Sequence, residues 1–125
     1  MLSTSELRCE YAIDPIGIDV VRPRLSWIPT AEGRGQEQTA YQVLAASTRE
    51  GIERREADLW DSGKVMSPAS LVIYAGKALT SEVGVWWCVR VWDGTGEVGP
   101  YSAPAYFEMG LLAAEDWVAD WIGFP

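Results

Sequence analysis

Histidine is absent from all 125 residues of this chain. That excludes the Ser-His-Asp and Cys-His arrangements of nucleophilic catalysis, and every His-based metal site. Cysteine is scarce, with Cys9 and Cys88 the only two. Two cannot build a disulfide framework or a four-ligand zinc site, so both are read as free thiols. Positive charge is thin: 10 Lys and Arg stand against 18 Asp and Glu, for a formal net charge of -8. Affinity for nucleic acid rests on cations neutralising phosphates, and anionic membrane surfaces ask for the same, so neither partner is expected. The negative balance itself reads as a solubility feature. No run approaches the ~18 apolar residues of a membrane span. Residues 1–6 carry neither a basic stretch nor an apolar one, so no secretory leader is visible. Together with free thiols this tilts the expectation toward the cytoplasm rather than secretion. Gly94-Thr95-Gly96 lacks the Gly-Lys-Ser/Thr and the helix of a phosphate loop, and no cofactor is expected.

What the chain does have is aromatic bulk: 7 Trp and 5 Tyr, within a hydrophobic content of 48%. That is ample surface to bury, which argues against disorder. The clearest stretch is Val85-Trp86-Trp87-Cys88-Val89-Arg90-Val91-Trp92-Asp93. Val85, Trp87, Val89 and Val91 fall on one face, while Cys88 and Arg90 interrupt the other between Trp86 and Trp92. Period two with β-branched and aromatic residues predicts a central β-strand with one dry face. Asp93-Gly94-Thr95-Gly96 then turns the chain.

Other strands are shorter. Residues 7–11 alternate (Leu7, Cys9, Tyr11) and predict a first edge strand, with Cys9 inward. Asp14-Pro15-Ile16-Gly17 reads as a turn. Leu25 and Trp27 share a face of a strand that Pro29 is expected to end. Residues 30–37 form a polar loop. A strand over 39–47 puts Tyr41, Val43 and Ala45 on one face, Gln42 and Leu44 on the other. Thr48 caps a short helix through about residue 57, whose one apolar contact is Ile52. A short strand over 59–65 breaks at residues 61–63. Another covers 70–74, and the last covers 100–109, with Ala105, Phe107 and Met109 facing one way. About seven short strands with turn signals between them predict an all-β antiparallel sandwich over residues 1–110. Trp27, Tyr41, Trp87, Val89 and Phe107 are core by periodicity, while Trp60 is core or rim. The period then changes: Trp117 and Trp121 are four apart, as are Val118 and Ile122. Residues 111–125 are therefore expected to be a helical or turn connector toward a following domain.

Six phrases carry a resemblance. They are Arg22-Pro23-Arg24-Leu25-Ser26-Trp27, Gln38-Thr39-Ala40-Tyr41-Gln42-Val43, Asp58-Leu59-Trp60-Asp61-Ser62-Gly63-Lys64-Val65, Tyr74-Ala75-Gly76-Lys77, Trp87-Cys88-Val89-Arg90-Val91-Trp92-Asp93 and Phe107-Glu108-Met109-Gly110-Leu111-Leu112. In this order, over residues 7–123, they resemble the N-terminal fibronectin type III-like domain of bacterial α-L-rhamnosidases, which are glycoside hydrolases. The resemblance implies an immunoglobulin-like, fibronectin type III-like sandwich. It further implies a non-catalytic accessory domain whose partners are adjacent domains of a parent enzyme that releases terminal L-rhamnose from glycosides. The family's catalytic carboxylates lie on a later (α/α)₆ barrel, so no catalytic residue carries over to this chain. Two positions depart from the pattern. The family typically has Tyr where Val85 stands, and such a Tyr often anchors a sandwich corner through its hydroxyl. It commonly has Lys or Arg where Cys88 stands, in keeping with an outward-facing Cys88.

Candidate sites follow from the residues themselves. Glycoside hydrolysis needs two carboxyl groups about 5–9.5 Å apart. Asp58 with Asp61, and Asp93 with Glu97, are close in sequence, but all lie in turns, where Asp ordinarily binds its own backbone. No catalytic site and no metal site is assigned. Trp86 and Trp92 lie on the outer face of their strand, ~20 Å apart at ~3.4 Å per residue. They read as an interface with a neighbouring domain or as contacts beneath the short helix. The alternative is a carbohydrate-binding surface for rhamnose-containing glycans. Trp117 and Trp121 carry the same choice, their tail position favouring a following domain. A free-standing protein-interaction sandwich is the third reading.

Overall fold

The structure is a computed structural model that describes residues 2–10, 16–18, 22–31, 37–80 and 83–110. Its centre is β7 (Gly84–Trp92), where Val85, Trp87, Val89 and Val91 are all fully buried. Four apolar side chains at period two need a sheet on either side and a second layer over them. Both are present. β3 (Ala40–Ala46) pairs antiparallel with β7 along its whole length, from Ala40 opposite Trp92 to Ala46 opposite Trp86. β8 (Ala105–Glu108) flanks the other side, from Gly84 opposite Glu108 to Trp87 opposite Ala105. Ahead of β8, the irregular residues 98–104 stay bonded to β7, with Ser102 N–H donating to the Val89 carbonyl at 2.8 Å. The outer edge of β3 is taken by β4 (Trp60–Asp61) and β5 (Val65–Met66), completing a five-stranded sheet. Gly63 separates these two at φ +66, and its N–H binds Asp61 Oδ1 at 2.9 Å. The interrupted strand expected over 59–65 is thus two short ones.

The second sheet has three strands, in the order β1 (Leu2–Cys9), β2 (Arg24–Ala31), β6 (Leu71–Ile73). β1 begins five residues earlier than the alternation from Leu7 predicts. The reason is a bulge: Ser5 pairs with Ile28 and Arg8 with Ser26, so Glu6 and Leu7 together oppose one residue. Glu6 sits at φ 49 there. A bulge flips side-chain parity, so Leu2 and Cys9 both point inward despite their odd separation. Pro29 does not end β2, which runs to Ala31 and shortens the expected polar loop. Pairing of β6 stops at Ser26, so among the described residues Pro29 has a strand neighbour on the β1 side alone. The Trp27 N–H points to the β6 side, where it meets the Ser70 carbonyl at 3.1 Å. Two residues on, the proline's missing N–H faces that same open side and costs no ladder bond.

The inner faces of the two sheets meet over Leu25, Trp27, Tyr41, Val43, Trp87 and Phe107. Trp27 and Tyr41 bridge the layers edge to face, 5.3 Å between ring centroids. Each large side chain fully withdrawn from water contributes about 1.5–3 kcal/mol. Cys9 belongs to this core, as expected. Trp60 lies at its rim, against Tyr74 at 5.3 Å. Among the described residues eight strands stand where about seven were expected.

A second, smaller cluster lies on the opposite face of the large sheet. There α1 (Arg49–Glu53), shorter than the helix expected through residue 57, is capped by the Thr48 hydroxyl, which accepts from Gly51 N–H at 3.0 Å. Ile52 drops from α1 onto Leu44, Ala46 and Cys88, all buried. Cys88 therefore does occupy the outer face of β7, but it is not solvent-exposed, because α1 lies over it. The expected connector over residues 111–125, with Trp117 and Trp121, lies outside the described residues, as do Tyr11, Asp14 and Pro15.

Candidate functional site

The outer face of the five-stranded sheet gathers cations onto aromatic rings. Trp86 packs beside its cross-strand partner Tyr106, 4.8 Å between centroids. The Arg49 guanidinium lies 5.5 Å from the Trp86 ring and pairs with Glu53 at 3.0 Å. Trp92 carries Lys64 Nζ at 5.0 Å and the Arg90 guanidinium at 5.2 Å. Between the two tryptophans, Tyr101 holds two guanidiniums against one ring, Arg55 at 4.4 Å and Arg90 at 4.6 Å. Such contacts are worth about 0.5–1 kcal/mol each at exposed positions and more when desolvated.

Gln42 organises the middle of this face. It stands opposite Arg90 in the β3–β7 register. Its Oε1 accepts from Arg90 Nε at 3.0 Å and Nη2 at 2.8 Å, and its Nε2 donates to Asp61 Oδ1 at 2.8 Å. Arg55 is held by the Ile52 carbonyl, which accepts from Nη1 at 2.9 Å, and the same nitrogen reaches Cys88 Sγ at 3.8 Å. Burial pushes the Cys88 thiol up to about 11, with Arg55 and Arg90 pulling the other way. Burial likewise raises Tyr101, against an opposing pull from Arg90. Trp86 and Trp92 thus share the outer face, half-buried, but with rings already in contact with side chains of this chain.

The candidate carboxylates are committed to backbone. Asp58 accepts from Ser47 N–H at 2.8 Å and from its hydroxyl at 2.5 Å, which holds its carboxyl below the usual range. Asp61 closes the Gly63 turn. Asp93 Oδ1 accepts from the Thr95 hydroxyl at 2.6 Å, Thr95 N–H at 2.9 Å and Glu97 N–H at 3.0 Å, and it too is lowered, chiefly by the Thr95 hydroxyl. A glycosidase general acid needs the opposite shift. One shallow hollow lies between residues 4–7 and 102–105, and another beside α1 is rimmed by Glu56 and Asp58. Among the described residues no three His, Cys, Asp or Glu side chains cluster as a metal-ligand set.

Two polar anchors escape sequence reasoning. Val85 is core and has no hydroxyl to offer. Tyr74 anchors its own turn, its hydroxyl donating to the Lys77 carbonyl at 2.7 Å. Gln38 is buried and binds both Trp27 of β2 and the segment leading into β6, as no periodicity could signal. The Arg55–Tyr101–Arg90 cluster is likewise invisible in sequence, because Tyr101 sits in an irregular segment. The one available hint is Arg90 sharing a strand face with Trp92.

Two stacked antiparallel sheets with filled inner faces define an immunoglobulin-like β-sandwich domain. Residues 4–113 match the family described as Rha78A-like, N-terminal immunoglobulin domain, and the chain belongs to that family. Among curated relatives, an alpha-L-rhamnosidase of Streptomyces avermitilis is 44% identical over 117 residues, covering 93% of this chain and 11% of the relative. An alpha-L-rhamnosidase of Formosa agariphila is 41% identical over 111 residues, covering 87% of this chain and 12% of its own length. The chain therefore spans about a tenth of the length of these relatives. Among solved structures, the alpha-L-rhamnosidase from Dictyoglumus thermophilum superposes with a TM-score of 0.90 at 37% identity, over 92% of this chain and 13% of that one. The Streptomyces avermitilis enzyme complexed with L-rhamnose gives 0.88 at 42% identity, over 94% of this chain and 11% of that one. This chain is an N-terminal immunoglobulin-like domain of the kind alpha-L-rhamnosidases carry.

Proposed function

We propose that this chain is a non-catalytic accessory domain of a larger α-L-rhamnosidase, packing on adjacent domains of the parent enzyme. The parent releases terminal L-rhamnose from glycosides. In this reading the sandwich of residues 1–110 is the packing unit, and residues 111–125, with Trp117 and Trp121, lead toward the next domain. The observation that carries it is coverage: nearly the whole chain matches about a tenth of each rhamnosidase relative. The chemistry agrees, since Asp58 and Asp93 have carboxyls lowered by local hydrogen bonds rather than raised for proton donation.

The test is an assay of residues 1–125 and of the full-length gene product against an aryl α-L-rhamnoside. The full-length product is expected to release the aryl group, and residues 1–125 are expected to release none. Turnover by residues 1–125 that disappears in Asp58→Asn or Asp93→Asn would overturn the accessory reading.

A further inference from the structure

Basic residues are few in this acidic chain, yet four of them (Arg49, Arg55, Lys64 and Arg90) lie on the rings of one sheet face. Arg49 has Glu53 as its counter-ion. Arg55 and Arg90 have no carboxylate within ion-pair distance among the described residues, although both rest on the same Tyr101 ring. Two like charges on one ring repel each other, and the ring quadrupole and the Gln42 and Ile52 oxygens act against that repulsion. A guanidinium has five N–H donors in a planar fork. Gln42 takes Arg90 through Nε and Nη2, and Ile52 takes Arg55 through Nη1, which leaves donors on both guanidiniums. Each such fork matches carboxylate oxygens.

The rings themselves are poorly placed to stack a sugar. Trp86 is flanked by Arg49 and Tyr106, Trp92 by Lys64 and Arg90. The same cations that occupy the rings suit a broad, acidic protein surface. Resting on the reading of this chain as one domain of a larger rhamnosidase, we infer that the Arg55–Tyr101–Arg90 face is the docking surface for an adjacent domain of that enzyme, which presents Asp or Glu carboxylates to the two guanidiniums.

Hydroxyl-radical footprinting tests this, comparing residues 1–125 alone with the full-length parent polypeptide. Labelling of Trp92 and Tyr101 is expected to fall about tenfold in the full-length enzyme and to recover in Arg55→Gln/Arg90→Gln. It is also expected to recover in the unmutated enzyme at high salt, where screening shortens to about 3 Å at 1 M; that arm does not depend on the variant folding. Unchanged labelling of Trp92 and Tyr101, with Ile28, Leu71 and Ile73 shielded instead, would sink this inference and leave the accessory reading standing. Shielding that survives both the double substitution and high salt would also overturn it. Full-length labelling that matches the isolated chain everywhere would sink both readings together. A tri-galacturonate oligosaccharide that shields Trp92 and Tyr101 in residues 1–125 would make the face a glycan site and overturn the docking assignment.

Discussion

The Trp27 indole N–H donates to the Gln38 side-chain carbonyl at 3.0 Å inside the sandwich. From the other end of its amide, Gln38 donates to the Ala69 carbonyl at 2.6 Å and the Ser67 carbonyl at 3.1 Å. One buried side chain thus ties β2 to the segment leading into β6. Gln38→Leu leaves a buried indole donor and two carbonyls without this partner, at about 2–3 kcal/mol. Gln38→Glu keeps an acceptor for Trp27 but turns a carboxylate toward two carbonyls, and is expected to be at least as damaging. Urea melts followed by Trp fluorescence check both.

Gly76 is fixed by crowding. A Cβ there would collide with Trp60 Cβ, lie 2.5 Å from the Leu59 carbonyl oxygen and come within 2.7 Å of the Tyr74 hydroxyl. The Leu59 oxygen cannot yield, because it accepts from Lys77 N–H at 2.9 Å. Gly76→Ala should cost about 2 kcal/mol by overpacking. Gly94→Ala meets nothing within 4 Å and should stay within about 0.5 kcal/mol of wild type. Thermal melts of the pair separate crowding from a general glycine effect.

The thiols should be inert in the folded chain. Burial, with a smaller contribution from Glu10, pushes Cys9 up to about 12, and burial pushes Cys88 up to about 11. Both values exceed the ordinary 9.0, so folding favours the neutral thiol. That contribution is intact below pH 9 and is lost as pH rises above it toward the folded values. Reaction with a disulfide reagent at pH 8 is expected to run about 100-fold slower in buffer than in denaturant. Fast native labelling of either cysteine would contradict the packing described above.

Acid acts in the opposite sense. The Arg24 side chain, 3.1 Å away, lowers Glu10, the Ser47 hydroxyl lowers Asp58, and the Thr95 hydroxyl lowers Asp93. A carboxyl lowered by folding stabilises the fold above its unfolded value, and the benefit fades as pH falls through the folded one. Stability should therefore be level from neutrality down to about pH 5 and fall below the ordinary values of 4.5 for Glu and 3.8 for Asp. Glu10→Gln and Asp58→Asn should each flatten that fall, as read from melting temperature across a pH series.

Titration of residues 1–125 with a rhamnose-containing oligosaccharide should leave Trp fluorescence flat to millimolar concentration. A saturable change abolished by Trp86→Ala or Trp92→Ala would restore the sugar-platform reading of this face.

What the chain announces about itself depends on regularity. β7 is legible because its odd positions are all apolar and meet one uninterrupted core. β3 is legible for the same reason, with Tyr41, Val43 and Ala45 inward and Leu44 outward. β1 is half legible, since the alternation that exposes Leu7 and Cys9 breaks at the Glu6–Leu7 bulge. Cys88 illustrates a different limit: periodicity assigns a face but not what lies over that face, and α1 covers it. Tyr101 and Arg55 carry no local signal, because their meeting with Arg90 depends on how a loop and a helix end fold onto β7. The Asp61 and Asp93 turns are read correctly as self-bonded, whereas Asp58 reaches across to Ser47 in another segment. Tyr74-Ala75-Gly76-Lys77 is visible as a motif, while its cause, a hydroxyl anchor over a crowded glycine, requires coordinates.

Past Trp27, no described strand pairs with β2 on the side where β6 has ended, and an unpaired rim invites a stranger's strand. At Pro29 that rim has no hydrogen to give. A visiting chain that tried to extend the ladder would meet a missing rung and a bulky ring, which disfavours edge-to-edge pairing of copies along this border.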